Sequence, residues 1–201
     1  MSTDPHVFVV NAAPWWLKYQ ENNPAGGHAV AVGLVPEMGG ASRMRHDSIG
    51  PGGEVSRHES DAPCQTHTSA FAAARAALRE HGGGVGDHVV AIGHRVVHGG
   101  RRFTQPVVVD DVVLESLRVL SPLAPLHNPA NVEGIVRAQE AFPGLPHVAV
   151  FDTGFHGTLP PAAYTYAVPD SWRDEHHVRR YGFHGSSYAW VTRRTAALMG
   201  R

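Results

Sequence analysis

Three short apolar runs, each ending on a polar side chain, constrain this chain more than any other feature. Val148 to Phe151 is an unbroken apolar run that stops at Asp152, followed by Thr153-Gly154-Phe155-His156. Val7 to Val10 runs into Asn11, and Val89 to Ile92 runs into Gly93-His94-Arg95. Runs of β-branched and aromatic residues without polar alternation read as strands buried on both faces. Open α/β sheets present their ligand-binding groups just beyond the ends of such strands. If the three strands are parallel and adjacent, Asn11, Arg95 and Asp152 gather at one crevice.

The intervening chain supplies the other elements. Asn11 to Trp16 reads as a turn, Leu17 to Gln20 as a second strand, Glu21 to Gly27 as a loop and Ala29 to Val35 as a third strand. Gly39 to Gly53 is irregular, with short strand character at Ser42 to His46. Together these predict an antiparallel meander closed by turn residues. Thr66 to His81 carries Ala70, Ala73, Ala74, Ala77 and Leu78 at helical spacing, and the glycines from Gly82 stop it. A strand over His88 to Ile92 follows, then a helix over Asp110 to Leu120 with acids in its first turn. Asn128 and Pro129 read as cap and first turn of a helix reaching about Ala141. Tyr164 to Val168 and Arg179 to Phe183 read as extended, Asp170 to His176 as a short helix, and Ser186 to Met199 as a final helix capped by Gly200. Meander first, then helix and strand in alternation, predicts an α/β domain with a mixed sheet.

Composition excludes several classes of function. The 201 residues carry 17 basic and 18 acidic side chains, a balance unsuited to binding nucleic acid or membrane by bulk charge. The single cysteine, Cys64, has no internal disulfide partner, and no Cys-x-x-Cys pattern exists. The N-terminus lacks the basic and apolar regions of a signal peptide. The longest apolar runs are too short to span a bilayer. A cytoplasmic location is expected. Lys18 is the only lysine, whereas histidine occurs 15 times. His94 and His98 have the spacing of a metal pair, but they follow a strand and lead into Gly99-Gly100. Helical presentation to a metal is therefore not expected.

Five strings carry the chemistry: Asn11 with Lys18-Tyr19-Gln20; Gly93 to Gly100; Leu123 to Pro129; Phe151 to His156; and Tyr181-Gly182-Phe183-His184-Gly185-Ser186-Ser187. In this order they closely resemble the N-terminal half of the acetate/propionate/butyrate kinase family, over essentially Val7 to Met199. The resemblance implies the first domain of an actin/hexokinase/Hsp70-type (ribonuclease H-like) two-domain fold. It also implies transfer of the ATP γ-phosphoryl group to acetate or propionate with Mg²⁺. Residues 1–201 are then a single N-terminal domain, with about 1–6 disordered. The final helix, 186–200, would lead toward a second, ATP-binding domain. A homodimer, or a complementing C-terminal half, is the partner it implies.

By the same resemblance Asp152, His184 and Arg95 are catalytic, with Asn11 and Lys18 close to phosphate or metal. Asn11 and Asp152 are the Mg²⁺ ligands of this half. Arg95, Val97, Leu126, Phe183 and His127 hold the acid. These residue types suit the chemistry. Phosphoryl transfer needs positioning and neutralisation of spreading negative charge. Arginine offers a planar fork to a carboxylate or phosphoryl group, and a histidine can donate to an equatorial oxygen.

Two departures from the family pattern stand out. Members read Asn-x-Gly-Ser-Ser-Ser where this chain has Asn11-Ala12-Ala13-Pro14-Trp15-Trp16. Pro14 lacks an N–H, and two indoles replace hydroxyls that would face phosphate. The family's second histidine in the last string is Tyr188 here. A catalytically inactive remnant that binds a small acid or a protein is therefore the alternative expectation.

Overall fold

The computed structural model describes residues 4–40, 42–81 and 88–201. An antiparallel meander opens the chain: β1 (His6–Ala13), β2 (Trp16–Asn23), β3 (His28–Val35), β4 (Arg43–Ile49) and β5 (Val55–Asp61). Helix α1 (His67–His81) leads to β6 (Val89–Val96). A two-residue edge strand β7 (Val107–Val108), α2 (Asp111–Val119) and α3 (Asn128–Ala141) lead to β8 (His147–Phe151). Short helices α4 (Pro161–Tyr164) and α5 (Asp170–Glu175) precede α6 (Gly185–Leu198). The eight strands form one sheet in the order β5-β4-β3-β2-β1-β6-β8-β7. β6 runs parallel to both β1 and β8, so the three strands singled out in the sequence are parallel neighbours.

Helices α1 and α3 lie side by side over one sheet face. Phe8, Val10, Leu17 and Tyr19 point into that layer against Phe71, Leu78 and Phe142. A second cluster under α2 joins Val96, Leu114, Leu117, Ile135 and Phe151. The approach of α3 is close: a Cβ on Gly134 would lie 2.4 Å from the Ala12 Cβ. At roughly 25 cal/mol per Å² of apolar surface removed from water, this layer is the main source of stability.

Several elements differ from the sequence expectation. The segment Asn11 to Trp16 is not a turn. β1 continues through Ala13, which pairs with Trp16, leaving Pro14-Trp15 as a two-residue hairpin connection. Ala12 and Ala13 are small enough to stay buried in the ladder, and Pro14 sits where no ladder donor is needed. β2 extends to Asn23, with Glu21 fully buried and hydrogen-bonded to His6 Nδ1 at 2.6 Å. β1 opens at His6, the last residue of the stretch expected to be disordered, because its N–H donates to the His88 carbonyl at 2.8 Å. β5 and β7 carry no apolar periodicity. β5 is a polar edge strand held by pairing and by Arg57 on Asp47 at 2.8 Å. Arg179 to Phe183 follows an irregular path. The glycines expected to end α1 lie outside the described residues.

α6 ends as its sequence indicates. Gly200 has φ +68°, its N–H donates to the Ala197 carbonyl, and the Arg201 N–H donates to the Ala196 carbonyl. That pair of bonds is the Schellman arrangement. No helix among the described residues is long and apolar enough to cross a membrane.

Candidate active site

The ends of β1, β6 and β8 bring three distant side chains together. Arg95 turns its Nε and Nη2 edge toward Asp152, with Nη2 2.6 Å from Oδ2 and Nε 3.2 Å from both carboxylate oxygens. Its Nη1 donates to Asn11 Oδ1 at 3.3 Å. Asp152 is buried, whereas the Arg95 side chain is 31 % exposed. A guanidinium has five N–H groups, so one hydrogen on each Nη remains for a ligand. The arginine is thus oriented by protein and still open to a carboxylate or phosphoryl oxygen.

His184 stands at the start of α6, its Nδ1 4.0 Å from Asp152 Oδ2. Its backbone is left-handed, φ +54°, which is uncommon outside glycine and costs about 1 kcal/mol or more. The next residue explains how the conformation is held. The Gly185 N–H donates to the Asp152 carbonyl at 2.8 Å. A Cβ on Gly185 would sit 2.3 Å from that same oxygen. Only glycine permits α6 to begin this close to β8.

Beside the cluster lies a cavity of about 400 Å³, lined by Arg95, Val97, Leu126, His127, Phe183 and His184 together with the loop Leu123-Ala124-Pro125. Every residue expected to hold the acid is on that wall. Val97 is buried, while Leu126 and Phe183 are exposed on the open side. Asn11 and Asp152 adjoin the cavity through Arg95. Lys18 is placed differently. It pairs with Asn11 across β1 and β2, but it is exposed and does not line the cavity. Its Nζ lies 5.1 Å from the Trp16 ring centroid, a cation–π contact. Trp15 is exposed at the hairpin tip.

Asp152 and Asn11 supply two hard oxygen donors on one arginine. This set fits Mg²⁺, which takes one or two carboxylates and leaves its other positions to water and phosphate. Among the described residues no group of three or more His, Cys, Asp or Glu could hold a metal. His94 and His98 each engage the protein. His94 Nε2 is 2.9 Å from His147 Nδ1, and His98 Nδ1 accepts from the Gly100 N–H at 2.9 Å.

Comparison with known proteins follows the geometry. The family model for the acetokinase family matches residues 6–201.

This chain belongs to the acetokinase family.

It is 49 % identical over 197 residues to the acetate kinase of Leifsonia xyli subsp. xyli, covering 97 % of this chain and 48 % of that protein. It is 50 % identical over 194 residues to the acetate kinase of Deinococcus deserti, covering 96 % and 47 %. A propionate kinase structure from Francisella tularensis superposes with a TM-score of 0.89 at 32 % identity, covering 98 % of this chain and 50 % of that one. An acetate kinase structure from Porphyromonas gingivalis gives 0.85 at 36 % identity, covering 98 % and 49 %. The mixed sheet flanked by helices is therefore the actin/hexokinase-type architecture of these kinases. The chain spans about half the length of the curated relatives it matches.

Within this acetokinase chain, the residues that hold the site together escaped the sequence reading. Asn131 Nδ2 donates to the Ala12 carbonyl at 2.8 Å, and its Oδ1 accepts from the Val97 N–H at 3.0 Å. One amide from α3 thus ties the end of β1 to the end of β6. Asn128 was expected as a helix cap. Instead its fully buried amide pairs with the N–H and carbonyl of His98, at 3.1 and 3.0 Å. That pairing satisfies backbone groups that leave the ladder as β6 ends. Thr153 Oγ1 accepts from the Gly99 N–H at 3.0 Å. The available signal was a pair of asparagines at i, i+3, on a helix whose other inward residues are apolar.

Proposed function

We propose that this chain is the acid-binding half of a carboxylate kinase that transfers the ATP γ-phosphoryl group to acetate or propionate. The observation carrying this reading is the cavity bordered by the Asn11–Arg95–Asp152 cluster and walled by Val97, Leu126 and Phe183. The apolar wall takes the short alkyl end. The free Arg95 donors take the carboxylate and turn one oxygen toward the phosphoryl donor. That oxygen forms the new bond to phosphorus as the bond from phosphorus to the ADP oxygen breaks, giving acyl phosphate and ADP. Charge spreads over the equatorial oxygens during transfer, and Arg95 and His184 stand ready to donate to them. Asp152 keeps Arg95 aimed. Asp152 and Asn11 would hold Mg²⁺, which when bound neutralises charge on the polyphosphate. Water must be excluded around the reactive phosphoryl, so a second, nucleotide-binding half completes the enzyme.

A specific observation also favours a second reading, a non-catalytic acid binder. In the Pro14-Trp15 connection, Pro14 has no N–H and neither side chain carries a hydroxyl of the kind a phosphate-facing turn uses.

Trapping of acyl phosphate as hydroxamate separates the two. The chain is mixed with the complementary half of an acetate kinase relative, ATP, Mg²⁺ and acetate. Turnover that Arg95→Gln abolishes supports the kinase. No turnover, even after Ala13→Gly with Pro14→Ser and Trp15→Ser, supports the binder. In either case ¹³C-acetate bound to the chain alone should depend on Arg95.

A further inference from the structure

Behind the acid cavity lies a second one, of about 440 Å³, built by the irregular loop between α5 and α6. Its polar wall is made by Arg179, Arg180, His98, His176 and His177, with Tyr166 and Tyr181 as aromatic faces. No aspartate or glutamate among the described residues lines it. Among the described residues neither arginine forms a salt bridge, and Asp174, just ahead of the loop, is held by Arg173 at 2.9 Å.

Arg179 is held by stacking instead, and Arg180 faces an aromatic ring at longer range. Arg179 lies over the Tyr164 ring at 3.6 Å and near Tyr181 at 5.2 Å, and Arg180 lies over Tyr166 at 5.8 Å. A guanidinium stacked through its flat face keeps its N–H groups directed outward in its own plane. Among the described residues Arg179 spends only Nε, on the Arg180 carbonyl at 3.2 Å, which leaves both of its Nη groups for a ligand. The Tyr181 hydroxyl donates to the His177 carbonyl at 3.1 Å and pins the loop.

We infer that this cavity is a binding site for a compact polyvalent anion, a polyphosphate or a dicarboxylate, gripped between Arg179 and Arg180. Two adjacent cations without carboxylate partners among the described residues, with aromatic rings behind them and in a concave setting, make a ready receptor for such a ligand. The cavity shares Leu123 and Phe183 with the acid cavity, so occupancy would be felt at Phe183. The inference does not rest on the kinase reading.

The test is calorimetric titration of the 201-residue chain with inorganic pyrophosphate and, separately, with malonate. The expected result is saturable one-to-one binding of at least one probe, and which of the two binds more tightly assigns phosphate or carboxylate chemistry. Arg180→Gln should weaken binding tenfold or more, since among the described residues the Arg180 guanidinium makes no hydrogen bond. Arg179→Gln should do the same wherever circular dichroism shows it folded. Arg193→Gln on α6 should change affinity less than twofold. Absence of saturable binding overturns the inference. So does equal weakening by Arg193→Gln, which would mean bulk charge, or loss through Arg95→Gln with Arg180→Gln silent, which would place the anion in the acid cleft.

Discussion

Arg95 Nη2 lies 2.6 Å from Asp152 Oδ2, joining residues 57 positions apart at the ends of two parallel strands. The carboxylate is 3 % exposed, so removing its charge leaves a partly buried guanidinium with a weakened partner. Asp152→Asn should lower stability by about 2 kcal/mol, the usual scale for a charge-assisted hydrogen bond. It should also weaken acetate binding, because Arg95 loses its aim. Urea unfolding and ¹³C-acetate titration measure the two effects. A variant as stable as the parent would show that the pair is not structural.

Acid should unfold this protein early. The His147 Nε2–H faces the Phe142 carbonyl at 3.5 Å, so His147 Nδ1 must accept from His94 Nε2–H at 2.9 Å. His147 cannot take a proton on Nδ1 without breaking that bond, and burial opposes a charge on His94 beside it. Burial pushes His94 down to about 3. Burial, with His81 and His58 nearby, pushes His46 down to about 4, and His147 is lowered by burial as well. Unfolded imidazoles titrate near 6.5, so below that pH the unfolded chain binds protons that the folded chain refuses. Stability is therefore full above about pH 7 and falls as pH drops from 6.5 toward 4. With His94 and His46 alone the slope approaches about 2.7 kcal/mol per pH unit, twice 2.303RT, and His147 adds to it. Urea midpoints against pH should show it, and His94→Gln should flatten it.

Gly185→Ala should damage the site while sparing the fold. The new methyl would collide with the Asp152 carbonyl, and with the Phe155 Cβ at 2.8 Å. The start of α6 must retreat, carrying His184 away from Asp152. Far-UV circular dichroism should hardly change. The His184 ring resonance should lose its sensitivity to added acetate. Retention of that response would mean that His184 does not depend on the close approach.

Phe183→Ala should widen the cavity beside Arg95 on its exposed side. Phe183 is 45 % exposed, so the stability loss should stay below about 1.5 kcal/mol, short of the 3–5 typical of a core Phe→Ala. Affinity should shift from acetate toward butyrate, measured by competition against labelled acetate. An unchanged preference would remove Phe183 from the pocket wall.

Much of the site was legible because its carriers are buried parallel strands. Such strands announce themselves as apolar runs, and the first polar residues beyond them point to the crevice. That logic located Asn11, Arg95 and Asp152, and the family resemblance supplied Val97, Leu126, His127, Phe183 and His184. Lys18 was grouped with them by its string, but on an antiparallel partner strand its ammonium turned to Trp16 instead. β5 was invisible because an edge strand half in water needs no apolar alternation. The extent of β1 was misjudged because alanines and a proline read as a turn, whereas small side chains also suit a crowded ladder. Asn128 and Asn131 were missed because a helix start advertises capping, and nothing local shows that an amide reaches across to another element.

Asn131 gives the site a mechanical property. Its single amide clasps Ala12, next to Asn11, and Val97, two residues beyond Arg95. The two carriers cannot drift independently while that clasp holds, and any tilt of α3 moves both together. The crevice therefore has one hinge pin rather than two loose jaws, and a force on the helix reaches both lips in the same stroke.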